Sequence, residues 1–79
     1  MKISVKLLST YRTKLPKGTI GNKCSIEIPN NSRVEEVLNI FNIPADLSSV
    51  VLINGHSPEG NQSLKEGDEV CVFSAMAGG

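Results

Sequence analysis

One amphipathic helix laid across one mixed β-sheet, an α+β fold, is what the pattern of this chain predicts, and three observations predict it. Two segments near the start alternate polar and apolar residues with period two, a middle segment repeats its apolar residues at helical spacing, and two short apolar, strand-like runs follow. A lone helical stripe in a 79-residue chain has only a sheet face to bury against. A chain of this length makes a single domain, 1–79, whose core is too small to enclose a deep active site.

Lys2-Ile3-Ser4-Val5-Lys6-Leu7 and Lys23-Cys24-Ser25-Ile26-Glu27-Ile28 read as half-buried strands. Between them, Thr10 to Gly21 collects Pro16, Gly18 and Gly21 with Arg12, Lys14 and Lys17, the composition of a long solvated hairpin loop with room for a short turn of helix. Pro29-Asn30-Asn31 ends the second strand. Ser32 followed three residues later by Glu35 has the form of a capping box, so a helix is predicted over 33–42. Val34, Val37, Leu38 and Phe41 make its apolar stripe, and Pro44 forbids continuation. Val50 to Ile53 is an apolar strand closed by Asn54-Gly55, a pair that accepts the positive φ angles of a tight hairpin turn. Ser63 to Asp68 reads as a minor strand or bridge with a turn, and Glu69 to Phe73 as the last strand. Residues 74–79 are expected to form a flexible tail.

The order strand, strand, helix, strand, minor strand, strand is best satisfied when the two terminal strands lie side by side and parallel in the middle, with the helix in the crossover. That is the β-grasp arrangement, a mixed sheet of four to five strands in the order second, first, last, third. Its core face is expected to carry Ile3, Val5, Leu7, Cys24, Ile26, Ile28, Val70 and Val72. The opposite face then shows Lys2, Ser4, Lys6, Lys23, Ser25 and Glu27 on one side, and Cys71, Phe73 and one alternate pair of the Val50 to Ile53 run on the other. No second helix is left to cover the apolar half. An exposed apolar patch beside the tail, rimmed by Glu66, Asp68 and Glu69, is what a protein-docking surface looks like. Cys24 and Cys71 fall two strand spacings apart, roughly 9 to 10 Å, too far for a disulfide.

Several function classes lose ground on composition. Eight basic and eight acidic residues balance to zero, so the overall field that gathers nucleic acid or an anionic membrane is absent. No apolar run approaches the roughly 20 residues of a membrane span, and the chain opens without a signal-peptide core, so a cytoplasmic protein is expected. His56 is the sole histidine and has no second ligand at metal spacing. Glu35-Glu36 and Asp68-Glu69 are sequence neighbours whose side chains diverge, and the glycines form no phosphate loop. No catalytic residue, metal site or bound cofactor is therefore assigned. The chemistry that remains is at Gly78-Gly79, where two residues without Cβ carry an unhindered carboxylate into slots closed to side chains. Such a group is suited to activation by another protein. Phe73 stands at the root of this arm and Met76 along it, as apolar anchors.

In this order the residues resemble the ubiquitin-like sulfur carriers of the MoaD/ThiS type, the family of the molybdopterin synthase small subunit and the thiamine-pathway carrier. The resemblance spans the whole chain: the alternating first strand, Leu15-Pro16-Lys17-Gly18, Ile28-Pro29, the capped helix ending near Ile43-Pro44, Val51-Leu52-Ile53-Asn54-Gly55, and above all Leu64 to Phe73 followed by Ala77-Gly78-Gly79. It implies a carrier, not an enzyme. Its Gly79 carboxylate would be adenylated with ATP by a separate E1-like enzyme and converted to a thiocarboxylate, with Gly78 and Ala77 threading into the partner. Phe73, Met76, Cys71 and Leu52 would bind that partner, and a molybdopterin synthase large subunit or another sulfur-accepting synthase would take the sulfur. The long Thr10 to Gly21 loop resembles the molybdopterin branch more than the thiamine carriers. Ser74-Ala75-Met76 departs from the prolines that many relatives carry before the glycines. A thiamine-pathway or other sulfur carrier, a ubiquitin-type modifier and a plain β-grasp binding module share these features.

Overall fold

The alternation at the start of the chain becomes a sheet. In the computed structural model, which describes residues 1–75, β1 (Lys2–Leu7) buries Ile3, Val5 and Leu7 and turns Lys2, Ser4 and Lys6 the other way. It pairs antiparallel with β2 (Lys23–Glu27) on one side and parallel with β4 (Glu69–Ser74) on the other. β3 (Ser49–Ile53) completes the sheet antiparallel to β4, giving the order β2-β1-β4-β3. This is the β-grasp arrangement with its predicted strand order. The loop after β1 contains the turn of helix for which the sequence left room, a 3-10 helix over Ser9–Lys14. Tyr11 from this turn is buried, and its hydroxyl is 2.6 Å from the Ser49 hydroxyl at the start of β3.

The helix α1 covers Val34–Ile40, shorter at both ends than the predicted 33–42. At its start the predicted Ser32 and Glu35 capping box does not form. Ser32 is buried and its hydroxyl donates to the Pro29 carbonyl at 2.7 Å, closing the preceding turn. The cap shifts one residue on. The Glu36 carboxylate accepts the Arg33 amide at 3.2 Å, and because the Arg33 side chain has no acceptor the return bond is to its carbonyl, which accepts the Glu36 amide at 3.0 Å. The loop near residue 61 supplies the rest: Gln62 O accepts the Val34 amide at 3.0 Å and Asn61 Oδ1 accepts the Glu35 amide at 3.0 Å. At the other end Asn42 adopts φ 56° and stops the helix before Pro44 is reached. The Ile43 amide bonds Leu38 O at 2.9 Å and the Asn42 amide bonds Asn39 O at 3.1 Å, the paired bonds of a Schellman terminus. Ile43 and Leu38 are both buried beside it.

Asn54 and Gly55 take φ 52° and 86°, the double positive of a type I′ turn, and Ile53 and His56 exchange amide bonds across it. The predicted minor strand over 63–68 is reduced to one bridge, Arg33 to Ser63, with Leu64 buried just after it. Ser74, placed in the tail by the sequence, belongs to β4 opposite Ser49, and the Ala75 amide still donates to Ser48 O at 2.9 Å. The core holds the predicted residues except Cys24 and Ile26, which pack against it half-buried on the edge strand. It gains Tyr11, Ile43, Ile53 and Leu64 from turns and strand ends.

Candidate functional site

Residues paired in register stand on the same face of a sheet, so the pairing states what the uncovered face displays. Lys23 lies opposite Lys6, Lys6 beside Cys71 and Cys71 opposite Leu52, a row crossing all four strands. Val50 lies opposite Phe73 one step nearer the tail. The pair left open between Val50 and Ile53 is thereby assigned: Val51 packs on the core and Ile53 is buried, so Val50 and Leu52 look outward. Val50, Leu52, Cys71 and Phe73 are all half-buried, on the face opposite the helix. They form one apolar strip on the two strands nearest the tail, and Lys6, Ser4, Lys23 and Ser25 form the polar half beyond it.

The rim differs from the predicted acidic one. Glu66 accepts the Lys2 amide at 2.9 Å, and Asp68 accepts both Asn54 Nδ2 at 3.0 Å and the Lys65 amide at 2.9 Å. These two carboxylates brace the turn that feeds β4. Glu69 does reach the open face, but there it meets Lys23 Nζ at 2.7 Å, and that hydrogen bond holds its carboxyl below the ordinary carboxylate value. The apolar strip is therefore bordered by lysine and an ion pair. Lys6 and Lys23 were treated by sequence reasoning as ordinary solvated surface; their shared phase of alternation was the signal that placed them on this face.

Cys71 and Cys24 are free thiols on opposite faces of the sheet. Burial raises both thiols above their ordinary value, with Lys6 pulling Cys71 back and Glu69 adding to its rise. Each is therefore a protonated, weakly polar group at neutral pH. Cys71 contributes apolar surface to the strip.

The strip runs toward the point where β4 ends. There Leu8 donates its amide to Val72 O at 2.9 Å, Tyr11 meets Ser49, and Ala75 bonds Ser48. The Asp46 carboxylate accepts the Ser48 amide at 2.8 Å and the Ser48 hydroxyl as well, fixing the turn that enters β3. Of the predicted site residues, the structure brings Leu52, Cys71 and Phe73 together on this face. Met76, Ala77, Gly78 and Gly79 lie outside the described residues. Hollows indent the surface of the described residues. One of about 430 Å³ opens between Arg12 and Gly21, and one of about 150 Å³ lies between α1 and β3. Both are open, and neither gathers an acid-base pair with a nucleophile. Among the described residues no group of three His, Cys, Asp or Glu side chains is placed to hold a metal, and no helix is long and apolar enough to cross a membrane. His56 is exposed at the I′ turn.

A family model described as the ThiS family matches residues 5–79. No curated protein sequence gives a significant match. Among solved structures, a Pyrococcus furiosus protein provisionally named molybdopterin converting factor, subunit 1, superposes with a TM-score of 0.73 over 95% of this chain and 98% of its own, at 22% identity. SAMP1 from Haloferax volcanii superposes with a TM-score of 0.76 over 100% of both chains, at 16% identity. At these identities the two likenesses speak for the backbone, which is the same β-grasp.

Proposed function

The chain belongs to the ThiS family of ubiquitin-like sulfur carriers, and on that premise we propose that it carries sulfur as a thiocarboxylate on Gly79. A carboxylate oxygen of Gly79 attacks the α-phosphorus of ATP on an E1-like enzyme, and pyrophosphate leaves. A sulfur donor at the hydrosulfide level then attacks the carbonyl carbon, AMP departs with the bridging oxygen, and a proton is released to water. The product is a soft, ionised nucleophile on a folded handle. ATP is consumed by the enzyme and the carrier itself binds no cofactor. The exchange belongs in the cytoplasm.

The observation that carries this reading is the apolar strip of Val50, Leu52, Cys71 and Phe73 on the sheet face opposite the helix, on the last strand before the glycines and its edge neighbour. It offers a partner a rigid surface beside the strand whose chain runs on to the glycines. The sulfur is proposed to go to a molybdopterin synthase large subunit: the Pyrococcus protein with the same backbone carries a molybdopterin name, and the long loop after β1 fits that branch. Incubation with the activating enzyme, ATP and a sulfur donor, followed by intact-mass measurement, tests the proposal. Replacement of one oxygen by sulfur at Gly79 is expected; an unchanged mass while the enzyme is active on its own carrier would overturn it.

The equally good superposition on SAMP1 favours a second reading, a ubiquitin-type protein modifier. It predicts glycine-glycine remnants on lysines of other proteins in peptide maps, which a pure sulfur carrier does not leave.

A further inference from the structure

Zero net charge conceals a segregation. Lys2, Lys6, Arg12, Lys14, Lys17 and Lys23, six of the eight basic residues, lie within the first 26 positions, and none of the eight acidic residues does. Of these six, the topology carries Arg12, Lys14 and Lys17 to one end of the molecule, while Lys2 stands at the other. Because β1 and β4 run parallel, the exit of β1 and the exit of β4 are at the same end of the sheet. The segment 9–22, with Arg12, Lys14 and Lys17 exposed on it, is therefore gathered around the point where the chain runs on toward the tail.

Three contacts hold it there: Leu8 N to Val72 O at 2.9 Å, Tyr11 to Ser49 at 2.6 Å, and Lys14 Nζ to Asn42 O at 3.2 Å at the C-terminus of α1. Lys6 and Lys23 continue the basic surface onto the open face beside the apolar strip. Carboxylates populate the opposite end. Glu27 pairs with Lys2, Glu35 and Glu36 begin α1 beside Arg33, and Glu66 and Asp68 brace the turn before β4 beside Lys65, five carboxylates against three cations. Asp46, bound to Ser48, stands at the tail end, Glu59 lies in the loop before Asn61 with its amide on Gln62 Oε1, and Glu69 lies between the ends, paired with Lys23.

We propose that this basic end docks on the activating enzyme, against a surface carrying acidic side chains around the mouth of the channel that receives the tail. The inference rests on the sulfur-carrier reading above and adds the partner's charge. A neutral molecule with its charges separated behaves as a dipole: an acidic mouth turns it tail-first before contact and raises the encounter rate, by factors of 10 to 10³ in steered associations. The apolar strip then supplies affinity, and the basic end supplies orientation and speed. Complementary charge of this kind is screened beyond about 10 Å at 0.1 M salt, so its effect fades as salt rises.

Two double variants of equal net charge separate the effect of place from that of charge. Arg12→Glu with Lys17→Glu reverses the charge of the tail end; Lys2→Glu with Lys65→Glu makes the already acidic far end more so. Each is mixed with ATP and the E1-like adenylating enzyme of the same organism, and the association rate is followed by stopped flow at low and high NaCl, with circular dichroism confirming the fold. The wild-type rate is expected to fall with salt. At low salt the tail-end pair should associate about tenfold or more slowly, and the far-end pair within about twofold of wild type. Equal slowing by both pairs, or none by either, would overturn the proposal while leaving the carrier reading intact. A wild-type chain that is never adenylated would overturn both. Retarded migration of a single-stranded RNA oligonucleotide, lost only in the tail-end pair while enzyme association is unaffected, would reassign the basic end to nucleic acid.

Discussion

The two faces of the sheet are built from alternate residues of the same strands, yet they answer to different demands. Beneath α1, Val5, Leu7, Val70 and Val72 are 0% exposed and Ile3 is 1% exposed, the close packing a small domain needs to stay folded. On the other face their immediate neighbours Ser4, Lys6, Cys71 and Phe73 are only half-buried, and among the described residues no helix covers them. Stability therefore resides on the covered face, and the open face is free to be shaped by partners. A period of two lets one strand serve both.

The largest effect should come from touching neither face. One alanine added after Gly79 leaves both surfaces intact, and thiocarboxylate formation by intact mass should vanish while the urea midpoint stays at its wild-type value. Activity retained without trimming would detach the function from the last residue. Next comes Leu7→Ala, which hollows the covered face; a loss of about 2–5 kcal/mol in urea unfolding is expected. Because domains of this kind hold only about 5–15 kcal/mol in total, part of the population should unfold, yet the folded fraction should be adenylated normally.

Phe73→Ala probes the open face. Its stability cost should stay within about 1 kcal/mol, while kcat/KM for adenylation falls about tenfold, equivalent to roughly 1.4 kcal/mol of lost transition-state binding. If Phe73→Ala instead destabilises as much as Leu7→Ala, the distinction between the faces fails and Phe73 belongs to the core.

The smallest effect concerns the Lys23–Glu69 pair, whose side chains are 52% and 38% exposed, so only a few tenths of a kcal/mol is expected. The hydrogen bond from Lys23 depresses the Glu69 carboxyl below its ordinary 4.5. The contribution is thus fully present above pH 4.5 and lost as pH falls through the lower folded-state value. Glu69→Gln should flatten that part of the acid limb in urea titrations at successive pH values and leave stability at pH 7 nearly unchanged. A change confined to pH above 6 would contradict the assignment.

Much of this division was legible in the sequence, since alternation in residues 2–7 and 23–28 separates the faces and Asn54-Gly55 states its turn type. What was not legible depends on contacts between distant segments. The capping motif at Ser32 is correct in composition, yet its hydroxyl closes the Pro29 turn, because Asn61 and Gln62, nearly 30 residues away, take over the helix amides. Glu66 and Asp68 look like surface charge until Lys2 and Asn54 are seen to bind them. Tyr11, Ile43 and Leu64 enter the core from turns, where no periodicity marks an apolar residue as inward. At the tail's root, the pairing of Ser74 with Ser49 and the bond of Ala75 to Ser48 became visible only with the register of the sheet.

The parallel contact of β1 with β4 also governs when this molecule can come into being. A ribosome delivers β1 first and β4 last, so the middle of the sheet stands vacant until Ser74 has been synthesised, and neither β3 nor the covered face has its neighbour before then. A chain that stops before β4 is expected to lack the assembled face an activating enzyme would grip. Quality control follows from topology: translation must pass the final strand before there is a handle to load.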